Sequence, residues 1–532
     1  MTWQIRVAAL TAIVLAGCTA LVDNNSQTKI QANGETLIGN TEDGIAVFRG
    51  IPFAQPPIDD LRWRAPRPAI PRSGEQQATK FAAACIQDEY QVDWYRDLIR
   101  EFAGDPKKAP QPLAISEDCL YLNIWTPALN ATANLPVMVY IYGGNNLAGW
   151  SYEPNYRGHG LAARDVVVIS VGYRQGVFGT FNHPEIAAQT GADGSGNFNL
   201  LDLVAALRWL KENIQVFGGD PDNVTLFGES AGAANIGYLS VSPLARGLYH
   251  RAIKQSGGFE INHDYINSYD EEKQLGLDFS AIFNQSSLAK LRALPAETVH
   301  RSAMTHYKDN PVHANRKSFF AILDGYVLPD TPANLMARGQ INPGDYLLGS
   351  NGNESLWYTS KATSIGDVNH YLRTRFPSAS HDQLRDLLSQ SVDHRHQLAL
   401  LYDSIDYHCP ILKQATAIHR QMPDSVYVYR FTKARDHFSG GQLGAYHGAE
   451  LPYVFGTHDD WLPTSPSDIT LSEMMMEYWV NFARNGDPNG YNLPIWRSFS
   501  HQSAPVVELG DHVGMIEPAE KPICELLEAD NP

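Results

Sequence analysis

The sequence has little of what marks several protein classes. It contains only five cysteines in 532 residues, too few for a disulfide-rich scaffold, and no internal repeat, low-complexity tract or long run of one charge. Basic residues are outnumbered, 41 against 58 acidic ones, which gives a net charge of −17. This balance argues against nucleic acid or an anionic membrane as the main partner, because phosphate binding needs clustered Lys and Arg. A neutral or cationic small molecule fits better.

What is present is an ordinary globular composition, with 43% hydrophobic residues and 32 prolines. A chain of this length can bury a large core, and no linker long enough to divide it is visible after the first few dozen residues. Length alone would allow about three domains, but large α/β enzymes often form one unit. We therefore expect a single large catalytic domain over residues 28–532.

The first 17 residues form a predicted signal peptide. Arg6 precedes an apolar run at residues 7–16 that is too short to span a bilayer. The run ends in Leu-Ala-Gly and Cys18, which resembles a bacterial lipoprotein signal, whose cysteine is lipidated before cleavage. The alternative is an ordinary cleaved signal with an incidental cysteine. Both predict export, and residues 18–27 would form a polar tether.

The lipoprotein signal and the ordinary cleaved signal predict different final locations for the protein. Lipidation of Cys18 predicts an anchor in the bacterial outer membrane, which would be the only contact with a membrane. Without it the protein would be periplasmic or secreted. In either case an oxidising compartment favours disulfides among the four remaining cysteines, and four cysteines allow three pairings that the residue order cannot distinguish.

Strand and helix patterns alternate along the chain, which predicts βαβ units and a parallel sheet. Residues 136–142 and 165–172 are continuous apolar runs rich in β-branched residues, typical of strands buried on both faces. Residues 200–217 have apolar side chains at helical spacing, ended by Gly218 and Gly219 and a turn at residues 220–222. A strand at 223–227 and a helix from Ala231 follow. Later strands are predicted at 346–348 and 425–431.

The sequence contains a single Gly-x-Ser-x-Gly motif, Gly228-Glu229-Ser230-Ala231-Gly232. Such a pentapeptide is weak by itself, but this one lies between a predicted strand and a predicted helix, where a nucleophile elbow requires it. The chain must turn sharply at the serine, and flanking glycines avoid the clash. The alternative is a serine without a catalytic role in a tight glycine turn. We predict that Ser230 is a nucleophile at the carboxyl edge of the sheet.

A serine hydroxyl needs a base to remove its proton, and the base needs a carboxylate to orient it. In folds that present the nucleophile on such an elbow, the serine comes first along the chain, then the acid, then the histidine. Eleven histidines follow position 354, so the order alone does not identify the base.

Several motifs resemble the type-B carboxylesterase and cholinesterase family. They occur at residues 50–57 (GIPFAQPP), 117–124 (EDCLYLNI), 217–224 (FGGDPDNV) and 481–488 (NFARNGDP). The resemblance extends from about Thr28 to near the C-terminus. It implies an α/β-hydrolase fold, with a large, mostly parallel central sheet flanked by helices, and carboxylic ester hydrolysis with no metal or cofactor.

The resemblance assigns the rest of the site. The family's acid corresponds to Glu354, and its base corresponds to His447. The family usually has a glycine directly after the acid, and this chain has Ser355 there. A serine that supports the acid corresponds to Ser256. The implied oxyanion hole consists of the backbone N–H groups of Gly144, Asn145 and Ala231.

Position 145 departs from the family pattern, which has three glycines where this chain has Gly143, Gly144 and Asn145. Asparagine tolerates left-handed backbone well, so we expect the turn to persist with a more polar surface beside it. Family members with the glycine triplet often accept esters of bulky tertiary alcohols, and the change puts that trait in doubt.

The resemblance also pairs the cysteines, Cys85 with Cys119 and Cys409 with Cys524. The first bridge would close a loop whose Tyr90, Trp94 and Tyr95 could either line an entrance or hold the loop down by packing. Two rival functions stay open at this point: a catalytically inactive binding module of the same fold, and a related lipase or amidase.

Overall fold

The computed structural model describes residues 26–190, 196–262, 265–284, 287–309, 319, 321–500 and 504–528. The predicted signal peptide, Cys18 and most of the predicted tether lie outside the described residues. Gln27, expected to end the tether, instead begins the first strand. In the described part of the chain, no helix has both the length and the apolar character needed to cross a membrane.

A large mixed sheet organises the molecule. Its strands run in the order β1, β2, β3, β5, β7, β6, β8, β9, β12, β13, β14, β15, with β4 beside β2. These are β1 Gln27–Ala32, β2 Glu35–Glu42, β3 Ile45–Pro52, β4 Glu75–Gln77, β5 Tyr121–Thr126, β6 Leu135–Ile141, β7 Val167–Val171, β8 Gly219–Glu229, β9 Arg251–Gln255, β12 Asp345–Asn351, β13 Val426–Phe431, β14 Val506–Leu509 and β15 Val513–Ile516. The short β10 Asn267–Ser268 and β11 Ile322–Leu323 pair separately.

Helices connect and cover these strands. The α-helices are Tyr90–Glu101, His159–Ala162, Gly176–Gly179, Pro184–Thr190, Phe198–Asn213, Ala231–Val241, Tyr269–Ile282, Leu288–Arg292, Ala296–Asp309, Pro332–Ala337, Ile365–Arg375, His381–Leu388, His394–Asp403, Cys409–Gln421, Phe438–Leu443, Leu451–Phe455, Pro466–Asn485 and Lys521–Glu528. Ser404–His408 forms one π-helical turn. The fold is that of an α/β-hydrolase, as expected.

The centre of the sheet is parallel from β7 through β6, β8, β9, β12 and β13 to β14. The pairs towards both edges are antiparallel, except that the short β4 pairs with β2 in parallel. Strands β6 and β7 are almost fully buried, as their unbroken apolar sequences predict. Parallel neighbours end at the same edge of a sheet, so the loops that follow β6, β8, β9, β12 and β13 meet there.

Two boundaries differ by four residues from the sequence prediction. The α-helix predicted to reach residue 217 ends at Asn213 and continues as a 3₁₀ turn, Ile214–Phe217, closed by left-handed Gly218. Strand β8 begins at Gly219 rather than 223. Its pairing with β6 jumps from Gly219 to Val224, so the predicted turn at 220–222 bulges out of the ladder without ending the strand.

Both predicted disulfides are present, Cys85–Cys119 and Cys409–Cys524. The second attaches the C-terminal helix, Lys521–Glu528, to the start of the helix Cys409–Gln421. Ile523 on that C-terminal helix is buried in a small separate hydrophobic cluster with Leu372, Leu384 and Leu401. The bridge and the cluster together hold the C-terminal helix on the body.

Replacing Cys409 and Cys524 together by serine should therefore destabilise the protein. A loop of 115 residues is no longer closed, which on the chain-entropy model costs up to about 5 kcal/mol of unfolding free energy. We expect a lower thermal unfolding midpoint and faster proteolytic removal of the C-terminal helix. The wild-type protein treated with a reductant is the matched control, and an unchanged midpoint in the double variant would contradict this account.

Candidate active site

Ser230 occupies the sharp turn between β8 and the helix Ala231–Val241. Its backbone is left-handed and strained, with φ 55° and ψ −125°. A Cβ on Gly228 would lie 2.5 Å from the Ile141 carbonyl oxygen, and one on Gly232 only 2.0 Å from it. Glycine is required at both positions because the turn is pressed against the end of β6. The elbow predicted from the motif is present.

The structure brings Ser230, His447 and Glu354 together across 217 residues of chain. Glu354 Oε2 lies 2.6 Å from His447 Nδ1, which donates to it. His447 Nε2 is then the acceptor for the Ser230 hydroxyl, 2.8 Å away. Glu354 is 1% exposed, Ser230 8%, and the His447 side chain 14%. This is the geometry that proton removal from a serine requires.

Loop contacts fix Glu354 and His447 relative to each other. Glu354 Oε1 accepts a hydrogen bond of 2.6 Å from the backbone N–H of Asn351, the last residue of β12. Asn353 and Ala445, one from each loop, bond reciprocally: the Asn353 N–H donates to the Ala445 carbonyl, and the Ala445 N–H donates to Asn353 Oδ1, both at 3.1 Å. The loop that carries the acid and the loop that carries the base are therefore joined directly to each other.

Ser256 follows β9 and lies beside this pair. It is fully buried, has φ 53°, and its N–H donates to the Gly349 carbonyl at 2.7 Å. Its hydroxyl is near enough to favour the charged form of Glu354, although no hydrogen bond of standard geometry joins them. Ser256 is the residue that the resemblance assigns to support of the acid, and that role stays a prediction.

The expected oxyanion turn follows β6. Gly144 and Asn145 have φ 95° and 59°, so the left-handed turn persists with asparagine as anticipated. A Cβ on Gly144 would lie 2.0 Å from the Ala148 carbonyl oxygen, which makes glycine obligatory there. Ala231 begins the helix after Ser230, so its N–H belongs to the positive end of that helix.

Sequence reasoning missed the buried carboxylates around His447. Glu229, the variable residue of the serine motif, places Oε1 3.2 Å from His447 Nε2. Glu450 accepts hydrogen bonds from Gln255 and Asn351 at 3.0 and 2.7 Å. Glu229 lies inside the serine motif, next to the nucleophile, and Glu450 comes three residues after the base. Those positions were the available signal.

These carboxylates shift the ionisation of the site. Burial opposes a charged imidazole, but Glu229, Glu354 and Glu450 outweigh it and raise the pKa of His447 to about 9. Burial raises the pKa of Glu229 to about 8, against the attraction of His447. Burial also works against the charge of Glu354, yet His447, Ser256 and the Asn351 N–H lower its pKa below the ordinary value.

A cavity of about 560 Å³ opens over Ser230 and His447. Aromatic side chains dominate its wall: Tyr90, Trp94, Tyr95, Tyr156, Phe259, Tyr265, Tyr358, Tyr371, Tyr402 and Tyr407. The aromatic residues of the loop closed by Cys85–Cys119 divide between the two expected roles, lining an entrance and holding the loop down by packing. Tyr90 and Trp94 are partly exposed at the cavity, whereas Tyr95 is 1% exposed and donates to Glu153 at 2.9 Å.

Within the described residues, no group of three or more His, Cys, Asp or Glu side chains has the arrangement of a metal site. The chemistry that this cavity offers is a hydroxyl nucleophile, a neighbouring imidazole and backbone donors at a left-handed turn. That set suits attack on a carbonyl carbon followed by stabilisation of the resulting oxyanion.

Comparisons with known proteins agree with this chemistry. The family model described as "Carboxylesterase family" matches residues 26–526. Rat carboxylesterase 1C is 34% identical over 90% of this chain and 88% of its own length. A fumonisin B1 esterase from Sphingopyxis macrogoltabida is 30% identical, over 96% and 94%. Among solved structures, a thermophilic PNB esterase superposes with a TM-score of 0.78 at 28% identity, over 94% of this chain and all of that one.

The carboxylate cluster predicts an alkaline pH profile. Covalent labelling of Ser230 by a fluorophosphonate needs neutral His447, so its rate should rise with pH and reach its midpoint above the ordinary histidine value of about 6.5. Glu229→Gln removes a charge that stabilises the imidazolium, so the midpoint should move to lower pH. Labelling rates between pH 5 and about 10 measure both. A midpoint that is the same in the two proteins would refute the electrostatic role of Glu229.

Proposed function

The chain belongs to the carboxylesterase family and is a carboxylic ester hydrolase, and we propose that Ser230, His447 and Glu354 are its nucleophile, general base and orienting acid. The observation that carries this assignment is the pair of hydrogen bonds that links the three side chains, 2.8 and 2.6 Å long. The family match favours an active ester hydrolase over an inactive binding module of the same fold.

The proposed reaction has two acyl-transfer steps. His447 Nε2 takes the Ser230 proton while Oγ attacks the ester carbonyl, and the imidazolium then gives that proton to the departing alcohol. Water, deprotonated by His447, then attacks the acyl-enzyme, and the imidazolium returns this proton to Ser230 Oγ as the bond between Oγ and the acyl carbon breaks and the acid leaves. The N–H groups of Gly144, Asn145 and Ala231 would stabilise the oxyanion in both steps. Ser256 would support the charge on Glu354.

The cavity fits a small-molecule ester whose acyl or alcohol part carries polar or aromatic groups. Its wall includes eight tyrosines: Tyr90, Tyr95, Tyr156, Tyr265, Tyr358, Tyr371, Tyr402 and Tyr407. Such a wall binds oxygenated groups better than long plain alkyl chains, because buried hydroxyls without partners cost free energy. The related fumonisin B1 esterase, by its name, acts on fumonisin B1. Activity on p-nitrophenyl esters should accordingly fall as the acyl chain lengthens beyond a few carbons.

Removal of triad members should act on catalysis without unfolding the protein. Ser230→Ala and His447→Ala should each lower kcat by about 10⁴-fold or more, and Glu354→Ala somewhat less. The triple variant should be no worse than Ser230→Ala, because the three groups work as a unit. The assay is p-nitrophenyl acetate hydrolysis, with thermal unfolding as the folding check. Near wild-type turnover in Ser230→Ala, or retained activity in His447→Ala, would remove those residues from the proposed roles.

We further propose that the protein is exported and anchored through a lipid on Cys18. The support is the short apolar run ending in Leu-Ala-Gly and Cys18, together with two disulfides that suit an oxidising compartment. Thr19, rather than aspartate, follows the cysteine, which favours an outer-membrane destination over retention at the inner membrane. Two or more acyl chains contribute roughly 0.8 kcal/mol for each buried CH₂ and anchor stably.

Expression in a bacterial host tests the anchor. The wild-type chain should fractionate with membranes and carry acyl mass on its N-terminal residue, whereas Cys18→Ser should lose both properties. Ester hydrolysis by the two proteins should be equal, since Cys18 is remote from the triad in sequence. Wild-type protein in the soluble fraction, without acyl mass, would show the lipoprotein hypothesis to be wrong and would leave the esterase assignment intact.

A further inference from the structure

Asn145 stands where the pattern of the family that the chain resembles has its third glycine, and its backbone conformation is one that glycine adopts more readily. Gly144, Asn145 and Asn146 are all left-handed, with φ 95°, 59° and 55°. Asparagine tolerates this region better than most residues, and in this turn side-chain contacts also hold both asparagines.

Asn146 is held by the body of the protein. Its Oδ1 accepts from Asn235 Nδ2 at 2.9 Å, and its carbonyl accepts from the Gly176 N–H at 2.6 Å. It is 1% exposed. The half of the turn farther from Gly144 is therefore anchored in the core.

Asn145 is held from the opposite side of the cavity rim. Its side-chain amide donates to the Tyr90 phenolic oxygen at 2.7 Å. Tyr90 is the first residue of the helix Tyr90–Glu101, which lies in the segment closed by the Cys85–Cys119 bridge. Had the position been glycine, this bond would have no donor.

The disulfide-closed segment is itself fixed against the chain that follows the turn. The Gln87 side chain bonds the backbone of Gly149 twice, accepting from its N–H at 2.8 Å and donating to its carbonyl at 2.9 Å. Gln91 donates to Glu153 at 3.1 Å, and Glu153 accepts from the Trp150 N–H at 3.2 Å. Tyr90 is thus carried on a rigid support and can set the position of Asn145.

We propose that Tyr90 is a positioning residue for the oxyanion turn: its phenolic oxygen holds the Asn145 side chain and so keeps the Gly144 and Asn145 N–H groups in place. This inference rests on the proposed function of that turn. A glycine at position 145 needs no such holder, so the tyrosine and the asparagine form a pair that replaces the usual third glycine. Tyr90 acts through Asn145, and its removal should affect the reacting oxyanion more than the binding of substrate.

A double-mutant cycle tests the pair with p-nitrophenyl acetate. Tyr90→Phe should lower kcat by about three- to tenfold, the effect of one hydrogen bond, with KM changed less than about twofold. It should slow fluorophosphonate labelling of Ser230 to the same extent, since that reaction also builds charge on an oxygen in the turn. In the Asn145→Gly background, Tyr90→Phe should change kcat by less than about 1.5-fold.

Tyr152→Phe is the matched control. Tyr152 also bonds the disulfide-closed segment, because its hydroxyl accepts from the Leu113 N–H at 3.1 Å, but it does not touch the turn. This variant should keep the wild-type kcat, and thermal unfolding should show all variants folded.

Four results would overturn the proposal: an unchanged kcat in Tyr90→Phe, an equal loss from Tyr90→Phe in both backgrounds, a loss expressed only in KM, or an equal loss from Tyr152→Phe. Failure of the assignment of Ser230 as nucleophile gives a different result. In that case Ser230→Ala would keep its turnover and would still be labelled by the fluorophosphonate. If Ser230→Ala is inactive while the cycle shows no coupling, only the role of Tyr90 is lost.

Discussion

The parallel register of β6, β8, β9, β12 and β13 is the constraint on which the site depends. Neighbouring parallel strands end at one edge, so the loops that follow them are brought within hydrogen-bond reach. Ser230 comes one residue after β8, Ser256 one after β9, and Glu354 three after β12. A slip of any of these strands by one residue would turn its side chains to the other face of the sheet.

Burying four carboxylates at that edge is costly, and the surrounding structure offsets the cost in two ways. Hydrogen bonds satisfy Glu354 and Glu450, through the Asn351 backbone and the side chains of Gln255 and Asn351. Glu153 is satisfied by Tyr95, Gln91 and the Trp150 N–H. Glu229 instead faces His447, so the same contact that eases its burial raises the pKa of the base. The stability of the carboxylates and the basicity of His447 are thereby linked.

The segment between Cys85 and Cys119 contributes one wall of the cavity and supports the turn after β6. Its helix is held by buried contacts such as Tyr95 with Glu153, and its exposed edge carries Tyr90 and Trp94. Trp94 reaches the opposite rim, where its ring N–H donates to the Tyr358 hydroxyl at 3.0 Å. The Asn145 side chain finds its hydrogen-bond partner here, in Tyr90 of this segment.

Local chemistry made part of this protein readable from its sequence. Buried parallel strands require unbroken apolar runs, and a strained serine turn requires flanking glycines, so β6, β7 and the position of Ser230 followed from residues 136–142, 165–172 and 228–232 alone. The acid, the base and both disulfides came from resemblance, because eleven histidines and three pairings left the choice open. Glu229 beside His447, Tyr90 against Asn145 and the high basicity of His447 were decided by tertiary structure. They depend on distances between groups up to 218 positions apart, and such distances exist only once the sheet has aligned the loops.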